Sequence, residues 1–260
     1  MLITSRRNPK IKYARRLQSS KRFRYQESAF VAESTRWLME CIKTGAEMLL
    51  VLHTEDWAAD LFHRQLLDQV DGETLAITEN LMAEVSELES PEGILIVQSM
   101  LNLPVPHNPW LLLVVDGISD PGNLGALMRT AAGADVAGIL LAPGCVDVYN
   151  PKVVRGAMGA HLHIPTTHAT WSEISALTAD RSNYIAQMDG DVTYDKVDWT
   201  SPSTLIAGSE ASGASDQAKE LYSNRVYIPM NPTVESLNVT VAAGIILFEA
   251  ARQHAAAPSS

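Results

Sequence analysis

Five consecutive apolar residues, Leu111–Val115, run straight into Asp116 and Gly117. A strand without polar alternation has to be buried on both faces, which is the condition of a parallel sheet covered by helices. The pattern repeats downstream. Further strands are predicted at Gly138–Leu141, 161–164, 184–187, 204–207 and 226–228. Helices are predicted in the gaps, over 123–133, 151–158, 171–178, 215–222 and 237–254. This alternation predicts an α/β domain over 110–254 with a mostly parallel sheet. Ligands of such sheets collect at the carboxyl ends of the strands.

The first hundred residues follow a different pattern. Strands are predicted at 30–32, 48–52, 75–77 and 93–98. The intervening helices are 34–43, with Ser34 as its cap, then 57–70 and 81–88. This describes a small α/β domain over 1–98. Residues 99–109 hold three prolines and read as a linker, and 255–260 read as a frayed tail.

Charge divides the chain more sharply than hydropathy does. The net charge is −10, which argues against a polyanionic partner only if it is evenly spread. Residues 1–24 carry nine basic side chains and no acid, and the first carboxylate is Glu27. The other 236 residues hold 11 basic and 30 acidic groups, a balance of −19. A polyanion responds to the local patch, because screening erases the distant average beyond about 8–10 Å. The basic residues alternate with Ile11, Tyr13, Leu17 and Phe23, which predicts a helix with one cationic face. Arg6, Arg7, Lys10, Lys12, Arg15, Arg16 and Arg22 are the candidate phosphate contacts.

Other classes are set aside by composition. Two cysteines, Cys41 and Cys145, make no disulfide scaffold and point to a reducing, cytoplasmic setting. No apolar run has bilayer length, and the basic N-terminus leads into no apolar segment, so neither a membrane span nor a secretory signal is expected. His161 and His163 would share a strand face near His168, but no third ligand is placed, so no metal is assigned. Asp189, Asp191 and Asp195 lack the glycine and terminal glutamate of a calcium loop, and Asp189-Gly190 reads as a turn. Cys145 has no neighbouring histidine to activate it.

Three loops after three predicted strands carry the chemistry. The first runs Asp116-Gly-Ile-Ser-Asp-Pro-Gly-Asn123-Leu-Gly-Ala-Leu-Met-Arg129. Asn123 sits where it could cap a helix, and a loop entering a helix favours anions. The six-residue spacing puts Asn123 and Arg129 on different faces of that helix. Neither a Walker loop nor a dinucleotide fingerprint is present. The second loop holds Gly208, Glu210 and Gly213 at the end of an apolar strand. The third runs from Ile228-Pro229-Met230 to Glu235-Ser236-Leu237-Asn238 at the start of a long apolar helix, where Ser236 is the expected cap.

In this order, N-x-G-x-x-x-R at 123–129, G-x-E-x-x-G at 208–213 and I-P-M…E-S-L-N at 228–238 resemble the three motifs of the SpoU (TrmH-type) RNA methyltransferases of the SPOUT superfamily. Each block is weak alone; their order and spacing are specific together. The resemblance covers about 110–254. Phe30-Val-Ala-Glu33 and Pro91-Glu-Gly93-Ile-Leu are similar to the RNA-binding domain that many members carry. The resemblance implies a parallel-sheet domain with a deep trefoil knot, preceded by a small α/β RNA-binding domain. It implies methyl transfer from S-adenosylmethionine to a ribose 2′-hydroxyl, in rRNA rather than tRNA, by a homodimer. Gly208, Ile228 and Leu237, with Ala207, Pro229 and Met230 beside them, resemble the cofactor contacts. Asn123, Arg129, Glu210, Ser236 and Asn238 resemble the catalytic and substrate-positioning set. A guanidinium is a poor proton acceptor, so Arg129 is expected to grip the phosphate beside the target ribose. Two other readings remain open at this point: an inactive RNA-binding module of the same fold, and a nucleotide-dependent oxidoreductase, which the missing fingerprint disfavours.

Overall fold

The computed structural model describes residues 2–209 and 213–257. The chain divides into two compact units, one of Met1–Leu101 with Tyr149–Leu162 and one of Asn102–Val148 with His163–Ser260.

The first unit begins with β1 (Leu2–Ile3), α1 (Pro9–Ser19), α2 (Lys21–Glu27), β2 (Ala29–Glu33) and α3 (Thr35–Thr44). It continues with β3 (Met48–Thr54), a 3-10 turn (Trp57–Ala59), α4 (Leu61–Leu67), β4 (Glu73–Ile77), α5 (Glu79–Val85) and β5 (Ile94–Ser99). Its five strands lie in the order β1-β4-β3-β5-β2. β5 runs antiparallel to β2 and β3, and the remaining pairs are parallel. Side chains alternate across this sheet. Val31, Leu50, Leu52, Leu95 and Val97 pack with Ile11, Leu17, Phe23 and Met82 of the helices on one face. Phe30, Ala32, Val51, Ile94 and Ile96 pack with Trp37, Leu38, Cys41 and Leu66 on the other.

The second unit opens with β6 (Leu111–Val115), α6 (Pro121–Gly133) and β7 (Gly138–Leu141). Next comes α7 (Pro151–Ala157), which belongs to the first unit and adds Val154 to its core. The second unit resumes with β8 (Thr166–His168), α8 (Trp171–Thr178), β9 (Ser182–Ala186) and β10 (Val192–Thr193). It ends with β11 (Ser203–Ala207), α9 (Asp216–Lys219), β12 (Asn224–Tyr227) and α10 (Val239–Ala256). Its seven strands are all parallel, in the order β10-β12-β9-β11-β6-β7-β8. Val115 pairs with Ala207, Ile206 with Ile185, and Ala186 with Val226. That register brings the carboxyl ends of β6, β11, β9 and β12 to one edge, where the three motif loops leave the sheet.

Several expectations are corrected. The basic segment is two helices with a short leading strand, because Ser20 ends α1 and caps α2 by accepting from the Phe23 amide at 3.2 Å. The segment is also not free of acids in space: Arg6 pairs with Glu84 at 2.9 Å, and Lys10 with Glu73. The helix expected over 57–70 is broken by Asp60, whose carboxylate accepts from the Phe62 and His63 amides. The strand expected at 161–164 is replaced by a 3-10 turn at Ala160–Leu162, and the strand lies further on, at Thr166–His168. His161 and His163 therefore share no strand face. The helix expected over 215–222 is one turn long, and α10 continues through Ala256.

Candidate active site

Each motif loop is shaped by local bonds before it meets the others. In the first, Asp120 and not Asn123 is the cap: its Oδ1 accepts from the Asn123 amide at 2.8 Å, and Pro121 opens the helix. Asn123 thus stands in the first turn of α6. Asp116, 4% exposed, accepts from the Ser215 amide at 2.6 Å and ties the start of the first loop to the end of the second.

The second loop closes on itself. The Ser209 and Gly213 amides each donate to the other's carbonyl at 2.9 Å. A Cβ on Gly208 would lie 2.7 Å from Gly213 C and Ala214 N, so only glycine lets the chain fold back this tightly. Glu210 lies outside the described residues.

In the third loop Asn238, not Ser236, caps α10, with its Oδ1 accepting from the Thr240 and Val241 amides at 2.9 and 3.4 Å. The Asn238 Nδ2 donates to Asn123 Oδ1 at 3.0 Å, and the Thr240 hydroxyl donates to the Asn123 carbonyl at 3.1 Å. Residues 115 apart in sequence are thereby joined at the N-terminal ends of α6 and α10.

Beside this junction lies a cavity of about 670 Å3. Ala207, Gly208, Ile228, Met230, Ser236, Leu237 and Asn238, all expected from the sequence, line it. Pro229 does not, and neither does Arg129, which is exposed on α6 and has no ion-pair partner among the described residues. The volume falls in the range of about 300–1,000 Å3 typical of small-molecule sites. Its walls combine apolar surface (Ile228, Leu237, Ala242, Ile246) with hydroxyl and amide groups (Ser209, Ser236, Asn238, Gln187). An adenine ring and the methylene groups of a methionine chain fit the first, and ribose and amino-acid groups fit the second, so these residues suit S-adenosylmethionine. Among the lining residues missed from sequence are Gln187, Met188 and Asp189, at the carboxyl end of β9. Their signal was positional only: they follow a parallel strand at the ligand-binding edge.

Three groups stay outside the chemistry. Burial pushes the Cys41 thiol up to about 12, and it raises that of Cys145 as well, so neither is set up as a nucleophile. Asp191 is held below the usual carboxylate range by hydrogen bonds from Arg225.

A fully parallel sheet with a cavity of this size at its carboxyl edge, walled by the second and third motif loops and the turn after β9 while Asn123 of the first stands beside it, defines an α/β enzyme that holds a nucleotide-like cofactor. The chain belongs to the SpoU rRNA methylase family, whose model matches residues 110–248. Residues 8–96 match the MRM3-like substrate binding domain. A tRNA/rRNA methyltransferase of Synechocystis sp. is 32% identical over 98% of this chain and 95% of its own length. The Bacillus subtilis 23S rRNA (guanosine(2553)-2′-O)-methyltransferase RlmP is 28% identical, covering 95% of this chain and 97% of its own. The crystal structure of the SpoU methyltransferase AviRb from Streptomyces viridochromogenes with AdoMet has a TM-score of 0.87. It is 26% identical and covers 97% of this chain and 100% of that one.

Proposed function

We propose that this chain transfers a methyl group from S-adenosylmethionine to a ribose 2′-hydroxyl of rRNA. The observation that carries the reading is the Asn123–Asn238 bond at the cavity wall, because it joins the first and third motif loops at one point. Relatives named as rRNA methyltransferases, two of them for 2′-O-methylation, support rRNA over tRNA.

A sulfonium methyl is already activated for displacement, so the cofactor brings the leaving group and the protein aligns the acceptor and disposes of its proton. Ala207, Gly208, Ile228, Met230 and Leu237 hold the cofactor, with Pro229 shaping the turn between two of them. Asn123, Ser236 and Asn238 position the ribose by hydrogen bonds. Arg129 grips the phosphate beside that ribose with its planar fork, and the hydroxyl proton leaves to that phosphate or to water. Glu210 orients Arg129 or the motif loops. Bound in this cavity, S-adenosylmethionine would supply the methyl group to the ribose oxygen, with its sulfonium as the leaving group.

The exposed cations of the basic N-terminal segment bind the RNA backbone. The active form is a homodimer in a cytoplasmic setting, and the motif loops thread as a trefoil knot. Val241 and Phe248, 50% and 53% exposed and two turns apart on α10, give the pairing face its apolar surface. Sedimentation of the full chain reads this state directly.

Arg129 tests the assignment of roles. Arg129→Ala is expected to abolish methyl transfer to rRNA while calorimetric binding of S-adenosylhomocysteine is unchanged, since Arg129 does not line the cavity. Turnover at the wild-type rate would remove Arg129 from the mechanism.

A further inference from the structure

The turn after β9 contains the Asp189-Gly190-Asp191 run, which the three motifs do not account for. The two carboxylates differ in what they are bound to. Asp191 is consumed by Arg225, whose Nη2 donates to Oδ1 at 2.6 Å and whose Nε and backbone amide donate to Oδ2 at 3.1 and 3.2 Å. Asp189 takes a single donor among the described residues, Arg225 Nη1 at 3.4 Å from Oδ2, and its side chain is 82% exposed. Asp189 lines the cavity and Asp191 does not.

The turn that carries Asp189 is fixed rather than loose. A Cβ on Gly190 would lie 2.8 Å from the Tyr227 amide nitrogen, so the turn is pressed against β12. The Gln187 amide donates to Val226 O at 3.0 Å and the Asp191 amide to Arg225 O at 2.8 Å. A carboxylate with one oxygen uncommitted among the described residues is thus held at the cavity wall.

Its place along the sheet edge says which part of a ligand it meets. β9 lies between β12 and β11, with β6 beyond β11. At about 4.8 Å per strand, Asp189 stands roughly 10 Å along the edge from the end of β6, which leads to Asn123. The reacting sulfonium belongs near Asn123 and Asn238, so Asp189 faces a part of the cofactor that does not react. A vicinal diol offers two O–H donors to one carboxylate. The amino-acid tail carries a carboxylate beside its ammonium and gains little net attraction from another.

We infer that Asp189 is a specificity-determining residue that binds the ribose diol of the cofactor. The inference rests on the reading of the cavity as the S-adenosylmethionine site. It gives the turn a use the motifs leave blank: discrimination of a ribonucleoside cofactor from ligands lacking its hydroxyls. The contribution is to binding alone, so it enters the cofactor KM and leaves kcat unchanged.

Calorimetry on the full chain with S-adenosylhomocysteine and its 2′,3′-dideoxy analogue tests this. Asp189→Ala is expected to weaken S-adenosylhomocysteine by about tenfold, as for one lost charge-assisted hydrogen-bond set. The dideoxy analogue should change by less than about twofold. Asp191→Asn, which loosens the turn but keeps Asp189, is expected to shift both ligands by the same factor. Equal losses for the two ligands in Asp189→Ala, or no loss for either, overturn the assignment. A diol-selective loss in Asp191→Asn overturns it too, by moving the role to the turn as a whole. If the wild-type chain binds neither ligand, the cavity reading itself fails, and that outcome is distinct from the others.

Discussion

Asn238 performs two tasks with the two ends of one amide. Its oxygen caps α10, and its nitrogen donates to Asn123. Because a backbone N–H can only donate, the cap fixes which end of Asn238 faces Asn123, and that in turn fixes the Asn123 amide with its oxygen toward Asn238. The Nδ2 of Asn123 is thereby presented on the opposite side. The substitution Asn238→Asp separates the two tasks. Aspartate caps a helix as well as asparagine does, but it turns an acceptor toward Asn123. Asn123 must flip its amide to donate, and it then offers an oxygen where it offered N–H groups. The expected result is an unchanged thermal midpoint with kcat for rRNA methylation reduced by about tenfold or more. Asn238→Ala, by contrast, loses the cap as well and lowers stability by about 1 kcal/mol. A wild-type kcat in Asn238→Asp, measured at saturating cofactor and RNA, would show that the polarity of Asn123 does not matter to the reaction.

At the scale of elements, the C-terminal end of α1 shows how a basic segment can be structural. Arg24 is 3% exposed, and its Nη1 donates to the Leu17 and Gln18 carbonyls at 2.6 and 2.8 Å. Those are carbonyls of the last turn of α1, where a cation meets the negative end of the helix dipole. Arg24→Met keeps the bulk and removes the donors. It is expected to lower the unfolding free energy by about 2 kcal/mol, read by urea denaturation. The same elements show what sequence could reveal. β6 and β7 are legible because burial on both faces leaves unbroken apolar runs. β8 is not: Thr166–His168 is an edge strand, half-buried to exposed, so it carries no apolar signature and the apolar residues before it attract the assignment. The break between α1 and α2 hinges on Ser20, and the break before α4 on Asp60. Both are cap residues whose effect is local and easily overridden by a continuous periodic pattern. The motif loops are legible as loops, because the turn and cap residues they need are specific. Their meeting is not, because the Asn123–Asn238 bond depends on the order of strands in the sheet. Asp189 is less legible still, since no motif marks it and its one signal is that it follows a parallel strand.

The charge asymmetry belongs to the whole molecule, and the structure changes how it can be tested. Ile11, Leu17 and Phe23 lie in the core of the first unit. Deleting residues 1–24 would therefore remove core as well as charge, and a loss of RNA affinity would say nothing about electrostatics. Substitution separates the two. Of the seven candidate phosphate contacts, Arg6 and Lys10 already face Glu84 and Glu73, and Arg16 lies over the Phe23 ring with its Cζ 4.0 Å from the centroid. Arg7, Lys12, Arg15 and Arg22 are exposed and have no ion-pair partner among the described residues. Each phosphate neutralised on single-stranded RNA contributes about 0.7 to the slope of log affinity against log salt. Replacing these four by glutamine is thus expected to weaken binding of an rRNA fragment and to flatten the slope by about three. Replacing Arg6 and Lys10 alone should flatten it less than two of the unpaired four do, because an RNA phosphate must displace an existing carboxylate partner there. S-adenosylhomocysteine affinity should stay constant throughout, since none of these residues lines the cavity. A salt slope unmoved by the fourfold substitution would make the cationic helices a solvated surface and place the RNA contacts on the acidic remainder of the chain.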